Sequence, residues 1–99
     1  MDKYIIDFTG FDKLTDVQNA AEYFYEVIIR ALNLPDWCGK NPDALWDMLT
    51  GYINLPALIC IKGMNELPIT LTTHVKTAKD VFSRACEFNM NFMTVEYID

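Results

Sequence analysis

The sequence contains few basic residues. Its eight lysines and arginines stand against fourteen aspartates and glutamates, which gives a formal net charge of −6 at pH 7. Proteins that bind nucleic acid neutralise its phosphates with clustered Lys and Arg side chains, so this balance argues against nucleic acid as a direct partner. A basic protein is the class of partner that the charge favours.

Long apolar runs, a leader peptide and metal-ligand spacing are missing as well. No stretch reaches the ~18–20 apolar residues of a membrane span, and the start MDKYIIDF lacks the basic and apolar regions of a signal peptide. The three cysteines, Cys38, Cys60 and Cys86, are odd in number and lack metal-ligand spacing. No phosphate-binding loop or acyl-transfer motif occurs. These absences predict a cytoplasmic protein with free thiols that uses no cofactor or metal.

The composition is that of a globular chain. Hydrophobic residues make up 52% of the 99 residues and aromatic residues 13%, which a disordered chain would not have. A chain of this length buries roughly 60–70% of its unfolded surface without disulfides or metals. We therefore predict a single domain over residues 1–99.

Stretches rich in β-branched and aromatic residues alternate along the chain with stretches of helical periodicity. Because the chain lacks the tight turns of antiparallel hairpins, the strands are expected to pair in parallel through right-handed crossovers. The nearly continuous apolar run at 57–62 predicts a strand covered on both faces. The predicted strands are 3–8, 57–62 and 92–98, and the predicted helices are 16–32, a short one from about 41, and one from 72 or 73 to 88. The expected fold is α/β, a small three-stranded parallel sheet flanked by helices.

Polar residues at the predicted helix ends indicate how two of the helices begin and one ends. Thr15 is placed to cap the first helix, with Gln18 completing a capping box. Thr72 or Thr73 is placed to cap the last helix at its start, and Asn89 is expected to end it in the left-handed conformation.

The stretch LPDWCGKNPDALWDMLTG, residues 34–51, joins a loop rich in turn residues to a short helix. Pro35 ends the preceding helix, because its ring removes a donor and pushes Leu34 out of the helical region. Gly39 and Asn41 permit tight backbone, and Pro42 has the fixed φ that suits a first helical turn. The new helix is therefore expected to begin near Asn41.

This short helix is predicted to carry acid on one side. Asp43 and Asp47 are spaced i and i+4, where two like charges cost roughly 0.2–0.5 kcal/mol, so folding alone does not require the pair. Trp46 flanks the acidic face and Trp37 lies in the preceding loop. Two carboxylates beside two large rings suit the binding of a cationic partner. The opposite, apolar face is predicted to consist of Leu45, Met48, Leu49 and Tyr52.

Plainer interpretations of the same residues exist. Acidic side chains on exposed helix faces are common, so Asp43 and Asp47 are also compatible with an ordinary solvated surface. Trp37 and Trp46 are equally compatible with half-buried core rings. A general acid and base is disfavoured, because an open helix face lacks the concave, desolvated setting that separates two pKa values.

A further interpretation is an enzyme built from a thiol nucleophile. Cys38, His74 and Asp47 would supply the nucleophile, base and orienting carboxylate. They lie on three separate predicted elements, and nothing in the sequence indicates that they meet. His74 is more compatible with an ordinary residue near a helix N-terminus, so we predict that the protein is not an enzyme.

The stretch 34–51 resembles the barstar family, small intracellular inhibitors of secreted bacterial ribonucleases. The resemblance rests on Leu34, Pro35, Trp37, Gly39, Asn41, Asp43 through Asp47, and Leu49 through Gly51. It implies that the acids enter the nuclease active site in place of RNA phosphates. We expect Asp47, which lies deeper along the helix and next to Trp46, to be the main anchor, with Asp43 in support. The partner-binding residues implied are Trp37, Gly39, Asn41, Asp43, Trp46, Asp47, Thr50 and Gly51.

The function that the resemblance implies is inhibition of a barnase-like ribonuclease bound 1:1, as an antitoxin or immunity protein. The alternative is a barstar-like interaction module whose basic partner is not a ribonuclease. The sequence departs from the family pattern in two respects. Arg84 stands where the family has an acidic contact on its last helix, and Cys38 replaces the second loop aromatic, whereas the aromatic after the Leu-Thr-Gly turn is kept as Tyr52.

Overall fold

The computed structural model describes residues 1–11 and 19–98. Strands β1, β2 and β3 are Asp2–Asp7, Ala57–Lys62 and Met93–Ile98, and helices α1, α2 and α3 are Ala20–Ala31, Pro42–Gly51 and Thr72–Phe88. Two 3₁₀ turns, Met64–Glu66 and Ile69–Leu71, connect β2 to α3. The predicted capping box of Thr15 and Gln18, like the first residues of the predicted helix 16–32, lies outside the described residues.

The described strands form a parallel sheet in the order β1, β2, β3. Ile6 of β1 pairs with Ile61 of β2, and Ile59 of β2 pairs with Val95 of β3. The predicted three-stranded parallel sheet is therefore confirmed. Parallel neighbours need a crossover, and α1 with α2 supplies the first while α3 supplies the second.

All three described helices share one hydrophobic core with one face of the sheet. Ile59 and Ile61 of the central strand lie in this core with residues such as Phe24, Leu49 and Phe82 from the three helices. Cys60, which points to the other face, is buried but does not belong to this core. The prediction that β2 is covered on both faces was thus only partly right. On the second face, the neighbouring Ile5 and Ile98 are 48% and 42% exposed.

The start of α3 differs from the prediction. The residue at the N-cap is Leu71, and no side chain makes a capping hydrogen bond there. Thr72 instead donates its hydroxyl hydrogen bond to the carbonyl oxygen of Ile69, at 2.7 Å. The preceding 3₁₀ turn leads directly into the helix, so the expected cap by Thr72 or Thr73 was wrong.

The end of α3 is also different from the prediction. Asn89 follows the helix with φ −84°, and the left-handed residues are Met90 and Asn91, at φ 55° and 70°. The side chain of Asn89 is buried, and its amide donates a hydrogen bond to the carbonyl oxygen of Leu49 in α2, at 3.0 Å. Asn89 therefore serves a contact between two helices, which local sequence signals do not reveal.

The described residues contain neither a membrane-spanning helix nor a cluster of potential metal ligands. Within residues 1–11 and 19–98, no helix has the length and apolarity needed to cross a bilayer. Over the same ranges, no group of three or more His, Cys, Asp or Glu side chains is arranged to hold a metal ion.

Candidate functional site

The loop before α2 fixes the position at which the helix begins. Asn41 is the N-cap residue, with an extended φ of −156°, and its side-chain oxygen accepts a hydrogen bond from the backbone N–H of Ala44 at 2.8 Å. Pro42 takes the first helical position. A Cβ at Gly39 would lie only 2.8 Å from the Asn41 side-chain nitrogen and 3.2 Å from the Ala44 Cβ. The helix start near Asn41 is confirmed, and Gly39 leaves room for the capping side chain.

Asn41→Ala is expected to lower the free energy of unfolding by about 0.5–2 kcal/mol, because the N–H of Ala44 loses its acceptor. Asn41→Asp is the matched control, since a carboxylate retains the acceptor and suits the positive end of the helix dipole. Urea denaturation followed by circular dichroism measures both variants. If both variants lose the same unfolding free energy, the hydrogen bond of the cap is not the stabilising contact.

The acidic face of α2 is exposed as predicted. Leu45, Met48 and Leu49 are 2%, 8% and 1% exposed and face the core, whereas Asp43 and Asp47 lie on the exposed side. Neither carboxylate has an ion-pair partner among the residues that the structure describes. Two negative charges on a rigid helix are thus available for contact with another molecule.

The aromatic residues around this face have different environments. Trp37 is 73% exposed in the loop, so it is not a core ring. Trp46 is half-buried, because it packs against the core and makes an edge-on contact with Phe88 of α3, with ring centroids 5.6 Å apart. Tyr52 was predicted to continue the apolar face of the helix but is 51% exposed, since α2 ends at Gly51 before it.

The remaining predicted residues lie at the C-terminal end of α2. The Thr50 hydroxyl donates a hydrogen bond to the Trp46 carbonyl oxygen at 2.7 Å, so its bonding is local to the helix. A Cβ at Gly51 would meet nothing within 4 Å. Packing within the described chain therefore does not require glycine there. Because the position is exposed and has no side chain, another molecule could approach the backbone at the end of α2 closely.

A small groove runs between α2 and α3. Its volume is about 220 Å³, and Asp43 and Trp46 line it from the α2 side while Asp80 and Arg84 line it from α3. The Arg84 Nε lies 3.1 Å from a carboxylate oxygen of Asp80, and both side chains are mostly exposed. Arg84, which the resemblance places where an acidic contact is expected, therefore lies beside the acidic helix, and its charge is balanced by its own neighbour.

Comparison with known proteins decides the family. The family model described as "Barstar (barnase inhibitor)" matches residues 11–96. This chain belongs to the barstar family. A protein of Bacillus subtilis (strain 168) named "Putative ribonuclease inhibitor YrdF" is 31% identical over 87 residues, which cover 88% of each chain. The barstar family is one of inhibitors, so membership agrees with the expectation that this protein is not an enzyme.

The thiol-enzyme alternative receives no support from the geometry of this barstar-family chain. The Cys38 side chain is buried, and its thiol donates a hydrogen bond to the carbonyl oxygen of Gly39 at 3.5 Å. Burial raises the pKa of the thiol. A raised pKa disfavours the thiolate that a nucleophile requires. His74 contacts the Tyr25 ring edge-on, with centroids 6.1 Å apart, rather than either of the other two residues.

A second contact supports the loop of this barstar-family protein from the α1 side. The Lys40 ammonium lies 2.9 Å from the Glu22 carboxylate, and this hydrogen bond raises the pKa of Lys40. The pair is exposed, so its contribution to stability is small. Sequence reasoning missed this pair because its members are far apart in the chain. It also missed Phe88, since periodicity does not indicate which flank of α3 lies beside α2.

Proposed function

We propose that this barstar-family protein inhibits a barnase-type ribonuclease by inserting the acidic face of α2 into the enzyme's active site. The observation that carries the proposal is the pair of exposed carboxylates of Asp43 and Asp47, which have no ion-pair partner among the described residues. The inhibitor role agrees with the family match over residues 11–96. The carboxylates would occupy the positions that RNA phosphates otherwise take.

The physical basis is a match between fixed negative charge and a cleft that is built to hold phosphate. Such a cleft carries Arg, Lys or His side chains, and oriented carboxylates satisfy them with charge-assisted hydrogen bonds. The helix is held in advance by the Asn41 cap and by its buried apolar face, so little ordering entropy is lost on binding. The formal net charge of −6 also accelerates the encounter with a basic enzyme.

We assign the main anchor to Asp47, with Asp43 supporting it. The surrounding contacts are proposed to come from residues already placed around this face, namely Trp37, Gly39, Asn41, Trp46, Thr50 and Gly51. The complex would be 1:1, with the inhibitor in the cytoplasm of a bacterial cell that it protects from its own or a neighbour's nuclease. Nucleic acid would not be bound directly.

The test is a titration of barnase-type ribonucleases, barnase included, with RNA cleavage as the readout. The proposal predicts that activity falls linearly to zero at one equivalent of this protein for at least one enzyme in the panel. Unchanged cleavage by every enzyme would overturn it. That result would favour the alternative function, a barstar-like module that binds a basic protein of another kind.

Arg84→Glu is expected to increase the association rate with a barnase-type enzyme by about 3-fold to 10-fold at low salt, because charges at an interface rim act mainly on association. The change removes the cation that neutralises Asp80 and makes the groove beside Asp43 acidic. Stopped-flow binding at 20 mM and 300 mM salt measures this rate, and the gain should shrink at the higher concentration.

Arg30→Glu is the matched control for this variant. Arg30 is also an exposed residue paired with an acid at i,i+4 spacing, Glu26 at 2.7 Å, but it lies on α1. Both variants change the net charge equally. An equal gain in both would mean that overall charge, and not the groove between α2 and α3, controls association.

A further inference from the structure

The last turn of α3 extends the candidate recognition surface with an aromatic side chain. Phe88 is the final residue of α3 and is 59% exposed, although large apolar side chains are usually covered. Its ring meets Trp46 of α2 edge-on, at 5.6 Å between centroids and 70° between planes. Trp46 in turn lines the groove that contains Asp43. The exposed ring is therefore continuous with the acidic face of α2.

The line of α3 that leads to the Phe88 ring carries one acidic and one basic side chain. Asp80, Arg84 and Phe88 follow one another at i+4 spacing and so lie on one line of the helix. Asp80 and Arg84 neutralise each other at 3.1 Å. This line of α3 thus carries no net charge and ends in an apolar ring, whereas α2 carries two carboxylates without an ion-pair partner among the described residues.

We propose that Phe88, backed by Trp46, is an apolar anchor for the partner, and that the partner ribonuclease has an apolar patch beside its basic active-site cleft. This inference rests on the proposed function and names the chemistry of that partner's surface. Aromatic side chains are frequent hot spots of protein interfaces because they bury a large area at a low entropic cost. The contact with Trp46 restrains the Phe88 ring before binding, which lowers that cost further.

The contribution of Phe88 is distinguishable from that of the acids by its response to salt. Burial of an apolar ring does not depend on screening, whereas attraction between the carboxylates and a basic cleft weakens as salt rises. Phe88→Ala should therefore raise Kd by about 10-fold to 100-fold at every salt concentration, mainly through faster dissociation. The slope of log Kd against log salt should match that of the wild-type protein.

The experiment measures Kd by surface-based kinetics at 50, 150 and 500 mM salt, against the tightest-binding member of the ribonuclease panel. Phe92→Ala is the matched control, because Phe92 is also 59% exposed and makes no ring contact with any described residue. Phe88→Leu retains apolar area, so it should recover at least half of the binding free energy that Phe88→Ala loses. Circular dichroism and thermal melts establish that every variant remains folded.

Each outcome decides one question. A loss confined to Phe88→Ala, with an unchanged salt slope and recovery in Phe88→Leu, supports the apolar anchor. If the wild-type protein inhibits the enzyme and Phe88→Ala changes Kd by less than 2-fold, the anchor is wrong and the proposed function stands. Equal losses in Phe88→Ala and Phe92→Ala also overturn it. Failure of the wild-type protein to bind any ribonuclease in the panel overturns the proposed function, and the inference with it.

Discussion

Asp47→Ala is expected to weaken inhibition by a barnase-type ribonuclease by about 30-fold to several thousand-fold, the equivalent of roughly 2–5 kcal/mol. That range describes the truncation of one partner of a buried charge pair, and complexes of this same family contributed to it. In the proposed complex, the variant leaves cationic side chains of the enzyme buried without their carboxylate. Most of the loss comes from that unpaired charge, so it should appear as faster dissociation.

Glu66→Ala is the control for net charge. Glu66 is exposed on the 3₁₀ turn after β2, outside α2 and α3, and its removal changes the charge by the same amount. Inhibition constants from RNA cleavage, measured at several salt concentrations, should show a reduced salt dependence for Asp47→Ala only. If the inhibition constants of both variants rise by the same small factor, Asp47 is an ordinary surface acid, and the proposed insertion of its carboxylate into the active site is wrong.

The features of this protein that could be predicted from the sequence are those with local causes. The start of α2 followed from Asn41 and Pro42, since capping and a fixed φ act within one turn. The exposed acids Asp43 and Asp47 followed from helical periodicity. The parallel sheet followed from the alternation of strands and helices and the lack of hairpin turns.

The features that could not be predicted depend on packing between elements. Asn89 has the local signature of a left-handed helix end, but its side chain bonds to α2 and its backbone is not left-handed. The two faces of β2 look alike in sequence, although the helices share their core with only one of them. Phe88 lies on the flank of α3 that meets Trp46, and the rotation of α3 about its axis is set by the whole core.

Asn89→Ala is expected to lower the free energy of unfolding by about 1–3 kcal/mol, because it leaves a buried carbonyl oxygen without a donor. The backbone N–H groups of Tyr52 and Ile53 both bond to the carbonyl of Met48. The carbonyl oxygen of Leu49, a buried residue in the last turn of α2, accepts instead from the Asn89 amide at 3.0 Å. For a domain of this size, each 1 kcal/mol corresponds to about 4–8 °C in Tm.

Two variants separate loss of this hydrogen bond from other effects of removing an asparagine. Asn89→Asp has nearly the same shape but opposes the Leu49 carbonyl with an acceptor, so at neutral pH it should destabilise the protein more than Asn89→Ala does. Asn54→Ala, at an exposed position between α2 and β2, should change stability by less than about 0.5 kcal/mol. Urea denaturation of all three gives the comparison. If Asn89→Asp is as stable as the wild-type protein, the amide is not the donor that joins α3 to α2.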